Sequence, residues 1–158
     1  MTKILQSWII KDFKYGEIQC ETIEFSLDIN SYIMIFNRVD EAQDDEAIND
    51  KSKELGIQIK DNSYQVKFDT KFNFDNDCYF QSPKNILSIS QLKKLGKILI
   101  ELLHYHFQHS QAEAYFFVAE NDKLKRFYDN LAEEHEDVLK FKLLKNLGEG
   151  GYGYELTT

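Results

Sequence analysis

Pro83 is the only proline in this chain, Cys20 and Cys78 are its only cysteines, and no run of 18 apolar residues occurs anywhere in it. Each scarcity excludes something. One proline and seven glycines against 42% hydrophobic residues leave enough apolar surface to offset the entropy of ordering the chain, which rules out wholesale disorder. The two cysteines show none of the C-x-x-C or Cys/His spacings that metal sites use, so both are expected to be ordinary buried thiols. A membrane-spanning helix has no candidate segment, and Met1 to Ile10 lacks the long apolar run behind a basic flank that marks a signal peptide, so a cytoplasmic protein is expected. No Gly-x-Ser-x-Gly elbow, Cys/His nucleophile arrangement or internal repeat is present. Of His104, His106, His109 and His135, only His106 and His109 share a helix face, which does not support a three-ligand zinc site; surface or boundary histidines are expected.

Positive charge is also short. The net charge is −8, and residues 1–90 hold ten basic against sixteen acidic side chains, while residues 91–158 hold nine against eleven. Such a surface repels phosphate backbones and anionic lipid, so direct contact with nucleic acid or membrane is disfavoured and a basic protein partner is favoured. Residues 40–50 carry six carboxylates and no cation, a density that resists burial and reads as a solvated loop or frayed helix.

At 158 residues one core, hence a single domain over 1–158, is expected. Residues 1–80 read as mainly strand: Ser7 to Phe13, Glu17 to Leu27, Tyr32 to Phe36, Ile57 to Ile59 and Tyr64 to Phe74, with Cys78 to Phe80 extending the sheet and Pro83 ending it. From Ser88 the period becomes helical. Leu92, Leu95, Leu99, Leu102, Leu103, His106 and Phe107 predict an amphipathic helix over 90–109, opened by a capping box of Ser88 and Gln91. Ala114 to Ala119 is apolar without alternation, as in a central strand covered on both faces. Asp122 to Glu134 predicts a second helix, with Leu124, Phe127, Tyr128 and Leu131 inward. Leu139 to Leu144 and Tyr152 to Leu156 predict two strands joined through the turn Gly148-Glu149-Gly150-Gly151. The fold class is therefore mixed α/β: a mostly antiparallel central sheet flanked by helices. The glycines at 148, 150 and 153 match a dinucleotide fingerprint in spacing, but a strand signal follows them instead of a helix, so they are assigned to the turn.

Two segments within this order carry chemistry. Gln91-Leu92-Lys93-Lys94-Leu95-Gly96 opens the long helix, and Asn121-Asp122-Lys123-Leu124-Lys125-Arg126-Phe127-Tyr128 follows the buried strand. Together with the element order they resemble, over roughly residues 70–158, the C-terminal half of the GNAT superfamily, the acetyl-CoA-dependent N-acetyltransferases. In such enzymes a segment of form (Gln/Arg)-x-x-Gly-x-(Gly/Ala) holds the cofactor pyrophosphate on backbone N–H groups at the positive end of the helix dipole. Gln91 and Gly96 match its ends, and Lys94 stands where the middle glycine is expected. Lys93, Lys94 and Lys97 would add positive charge; alternatively, Gln91 only completes the capping box and Gly96 is a small residue on a packed face. The second segment matches Asn-x-x-Ala-x-x-x-Tyr except at Leu124.

The resemblance implies acetyl-CoA as cofactor, entering between splayed central strands and held by Gln91, Lys93, Lys94, Leu95, Gly96, Lys97, Val118 and Asn121. Tyr128 would be the catalytic acid that protonates the departing thiolate, a task that suits a phenol; alternatively it is a core residue of its helix. The acceptor would be an amine of a small molecule or of a basic protein, with Glu17, Glu21 or Glu24 as general base. Two functions follow: a GNAT-like acyltransferase, or a catalytically inactive GNAT-like binding or regulatory module, of inhibitor, immunity or phage-antagonist type, acting through its acidic surface.

Overall fold

Alternation of apolar and polar residues in the first third of the chain produces an antiparallel meander. Strands β1 (Ile10–Tyr15), β2 (Ile18–Leu27) and β3 (Asn30–Arg38) pair in sequence order. The computed structural model describes residues 8–15, 18–39, 53, 56, 59, 62–76 and 87–157. Ile23, Phe25 and Leu27 of β2 and Tyr32, Met34 and Phe36 of β3 are buried on one face, as the two-residue period of a strand requires. A fully buried side chain such as Met34 or Phe36 contributes about 1.5–3 kcal/mol.

Strand β4 (Ser63–Thr70) pairs antiparallel with β3 and stops four residues short of the strand expected up to Phe74. Thr70 ends it. Its side chain accepts the Asn73 N–H at 3.1 Å and caps a short helix α1 (Lys71–Asp75), while Asn73 Nδ2 donates to Asp69 at 2.8 Å. Phe72 and Phe74 thus lie on a helix: Phe72 is exposed, and Phe74 meets Phe13 edge-on at 5.8 Å. Their alternation is real, but a local cap overrides it. The expected acidic loop at 40–50, the extension at 78–80 and Pro83 lie outside the described residues, as does Ile57.

Helix α2 (Ile89–Ser110) begins with the expected capping box: Gln91 N–H donates to Ser88 Oγ at 3.2 Å, and Ser88 N–H donates to Gln91 Oε1 at 2.9 Å. Its buried stripe comprises Leu95, Leu99, Ile100, Leu102, Leu103 and His106 beside Gly96, whereas Leu92 is exposed. The helix ends at Gln111, whose φ of 53° turns the chain away. The Asn62 side-chain amide donates to the carbonyls of Ser110 at 3.2 Å and Gln111 at 3.0 Å, satisfying groups that the helix end leaves open.

The chain then enters β5 (Ala114–Val118), which runs parallel to β4, followed by α3 (Asp122–Glu134), a short α4 (Glu136–Leu139), β6 (Lys142–Leu147) and β7 (Gly153–Thr157). The strand expected from Leu139 starts three residues later. Leu139 is instead buried in α4, and Lys140, at φ 57°, reverses the chain so that Phe141 packs on Phe107 and Tyr115. Gly148, Gly150 and Gly151 all take positive φ in the tight turn between β6 and β7, a conformation that favours glycine.

The seven-stranded sheet runs β1-β2-β3-β4-β5-β7-β6, and every pair but β4/β5 is antiparallel. Helices α2 and α3 lie on the same face, packed on each other where Gly96 meets Leu131. On the other face Ala114 and Phe116 form a second cluster with Val39, bordered by Ile59, Val118 and Leu147. Both faces of β5 are thus covered, as its unalternating composition predicts. Among the described residues, no helix is long and apolar enough to cross a membrane.

Candidate functional site

Strands β4 and β5 share a short ladder. Ser63, Tyr64 and Gln65 pair with Ala114, Tyr115 and Phe116, after which the strands part. From there to Thr70, β4 remains paired with β3, and β5 remains paired with β7 as far as Val118 and Gly153. The sheet therefore opens between Phe68 and Phe117.

Tyr128 of α3 stands over this opening. Its ring contacts Phe68 at 6.2 Å, Phe117 at 5.6 Å and Tyr154 at 5.6 Å between centroids. An apolar cavity of about 60 Å³ adjoins it, lined also by Met34, Leu99, Leu103, Leu131 and Leu156. Tyr128 is only 7% exposed. Burial, reinforced by the negative charge of Glu120, pushes its phenol well above the ordinary value. It therefore stays protonated throughout the neutral range and is a weaker acid than a free phenol. Neighbouring Tyr154 is committed elsewhere, its hydroxyl donating to Asp129.

The residues of the first GNAT-like segment lie inside α2, beyond its cap. The N–H groups of Lys94, Leu95 and Gly96 are in α-helical register and donate to carbonyls one turn back. Lys93, Lys94 and Lys97 are exposed, and Leu95 is buried. At Gly96 an added Cβ would come within 2.6 Å of Leu131 Cδ1, so the missing side chain admits α3. Gln91 completes the capping box, and its amide donates to Asp28 of the β2–β3 turn at 3.1 Å. Asn121 caps α3, its Oδ1 accepting the Leu124 N–H at 2.8 Å, and half-buried Val118 packs on the face of the sheet opposite α2. Of these residues the structure brings Tyr128 over the opening between β4 and β5, with Val118 at the end of the parted stretch of β5 on the opposite face. The quoted segment does not fit a pyrophosphate, because its backbone donors are used within the helix and its glycine is filled by a leucine.

A polar cluster that the sequence pattern does not single out lies under the other end of α2. His106 is fully buried, not a surface or boundary residue. Its Nε2 faces Glu21 Oε1 at 3.1 Å and its Nδ1 faces the Tyr115 hydroxyl at 2.8 Å, with Ser110 Oγ at 3.3 Å from both. The ring stacks on Phe36 at 3.8 Å and meets Tyr64 edge-on. Glu21, as a carboxylate, accepts from Nε2–H, and Nδ1 and the Tyr115 hydroxyl form a second hydrogen bond. Exposed His109 reaches the second oxygen of Glu21 at 3.5 Å. The hydrogen bond from His106, aided by the charges of both histidines and a hydrogen bond from Tyr64, outweighs burial and holds the Glu21 carboxyl below its ordinary value. The buried imidazole offers a substrate no approach, so the cluster clamps α2 to β2 and β5. Its trace in the sequence is the position of His106 in the apolar period of α2. Of the three glutamates considered as bases, Glu24 is exposed and pairs with Lys71 at 3.2 Å, and Glu17 lies outside the described residues. Cys20 is buried, its thiol donating to Asn37 Oδ1 at 2.7 Å; Cys78 lies outside the described residues.

No protein-family model matches the chain, and no curated protein or solved structure matches it significantly.

Proposed function

We propose that the chain is a binding module on a GNAT-like sheet that does not use acetyl-CoA. The placement of Gln91 to Gly96 inside α2 carries this reading. A phosphate cradle needs free backbone N–H groups and open space at its glycines, whereas here the N–H groups of Lys94 to Gly96 are internal and Gly96 receives Leu131. Asn121, the second expected cofactor contact, is spent as a helix cap. The acidic balance supports a basic protein as partner: Glu133, Glu134, Glu136 and Asp137 are all exposed at the junction of α3 and α4, beside exposed Val138. Calorimetric titration with acetyl-CoA and with desulfo-CoA tests the proposal. Neither should bind at high concentration; saturable binding of either would overturn it.

One observation favours acyl transfer instead. Tyr128 stands where β4 and β5 part, the region through which the resemblance has the cofactor enter, and its phenol is held in the protonated form that a donor to a leaving thiolate requires. On that reading, acetyl transfer to an amine would be detectable in the wild type, and Tyr128→Phe would lower it by about 10²- to 10⁴-fold with little change in stability. Equal turnover by both would remove Tyr128 from the chemistry.

A further inference from the structure

The sheet is open, and its two edges differ. At one edge, β6 loses register with β7 between Leu144 and Leu147, where Asn146 takes a φ of 59°. Such a bulge twists an edge away from further pairing. At the other edge, β1 keeps an unbroken register with β2 from Ile10 to Tyr15, and among the described residues no strand lies beyond it. Its outward N–H and C=O groups form a regular row that can take one more strand. The same edge is apolar. Ile10 stands opposite Ile23, which is buried under α2, so Phe13 lies on the other face of the sheet. Phe13 is 41% exposed and touches Phe74 of α1, whose neighbour Phe72 is 66% exposed, and Ile9 at the start of the strand is 63% exposed.

We propose that β1 pairs with β1 of a second copy of this chain, antiparallel about a two-fold axis through Phe13, so that two sheets become one. Residues directly opposed across a ladder share a face, so an axis normal to the sheet passes through a residue. Through Lys11 or Asp12 it would set like charges opposite each other, as it would through position 14, a lysine. Through Ile10 or position 15 it would leave most of the strand unpaired. Through Phe13 it pairs residues 11–15, sets each Phe13 beside its own copy with Phe74 adjoining, and places Asp12 opposite Lys14 on both sides of the axis. Lys11 then stands opposite the uncharged position 15. The strand is thus self-complementary in charge about its exposed aromatic residue, as an isologous interface requires. Main-chain hydrogen bonds supply the attraction, and the charge pairs fix the register. A ladder this short buries less than the roughly 1,200 Å² of a stable complex, so the dimer is a weak, reversible one.

Sedimentation equilibrium of the full chain at low salt, at concentrations up to about 1 mM, tests the proposal. Wild type should show a monomer–dimer equilibrium. Asp12→Lys and Lys14→Asp should each weaken it by about tenfold, because each sets like charges opposite at two places. The double variant with both substitutions should return to within about three-fold of wild type, since the pairs are restored with their signs exchanged. Asp12→Lys also lowers the net negative charge, so a dimer limited only by overall repulsion would be strengthened by it, and that result would overturn the proposal. Failure of the double variant to restore association would overturn it too, as would a wild type that stays monomeric throughout. A second measurement does not depend on the charges. Phe13→Cys should cross-link to its own copy on mild oxidation, because directly opposed Cβ atoms lie about 4.5–5.5 Å apart, whereas Lys11→Cys should not. Wild type serves as the blank for Cys20 and Cys78. Equal cross-linking of the two variants, or none with Phe13→Cys, would place any dimer elsewhere and overturn the proposal.

Discussion

Glu21 and His106 are 85 residues apart in sequence and 3.1 Å apart in the fold, and their pairing makes part of the protein's stability depend on pH in the acid range. The Glu21 carboxyl is held below its ordinary value, so the stability it contributes is fully present above about pH 4.3, the ordinary glutamate pKa, and is lost as the pH falls through the lower folded value. Glu21→Gln is expected to cost about 1–3 kcal/mol at pH 7, the cost of disturbing a buried hydrogen-bonded group. The gap from wild type should close as the pH is taken below about 4, as read by urea denaturation at a series of pH values. A constant gap across that range would show that the charge of Glu21 contributes nothing. Tyr128 illustrates the same scale differently: sequence spacing marks the residue, but only its neighbours Phe68, Phe117 and Glu120 define its chemistry.

Among the elements, α2 was the most legible, because its apolar spacing and its capping box are both local. Ser88→Ala should cost about 0.5–2 kcal/mol in chemical denaturation, the usual value of an N-cap. The Gly96–Leu131 contact tests whether Gly96 is a packing residue. Gly96→Val should destabilise by about 1–3 kcal/mol through overpacking against Leu131. Leu131→Ala should relieve part of that, giving a coupling of about 0.5–3 kcal/mol in a double-mutant cycle. Additive effects would mean that the helices do not meet there. Lys94→Gly is expected to weaken the helix by about 1 kcal/mol and to leave coenzyme A unbound, since position 94 lies within α2. The two misplaced strand ends share one cause: Thr70 as a cap and Lys140 at positive φ act on single residues, beneath the period that a hydrophobic pattern reports.

Among the described residues, the parallel ladder of three residue pairs is the sole strand contact between the meander β1–β4 and the unit β5-β7-β6, and α2 spans both parts. A core shared in this way should unfold as one unit. Phe116→Ala, at a fully buried position on the ladder, is expected to cost about 3–5 kcal/mol. Far-UV circular dichroism and the fluorescence of Trp8, whose ring meets Tyr105 of α2 at 5.8 Å, should still report a single coincident transition. Separate transitions would show that the ladder, and not α2, is the main connection.

The sequence by itself determined whatever depends on neighbours along the chain: the meander, the long capped helix, the unalternating central strand, the second helix and the glycine turn. Each is set by a period or by a cap within a few residues. Which β-strands part, what fills the space at Gly96 and which histidine is buried were decided only by the tertiary structure. These outcomes depend on Leu131 meeting Gly96, Phe68 facing Phe117 across the opening, and Glu21 reaching His106. The partners in contacts between residues 35 to 85 positions apart are not specified by any period, which marks at most that His106 lies on the apolar stripe of α2, because such contacts arise from how elements stack and not from how a segment coils.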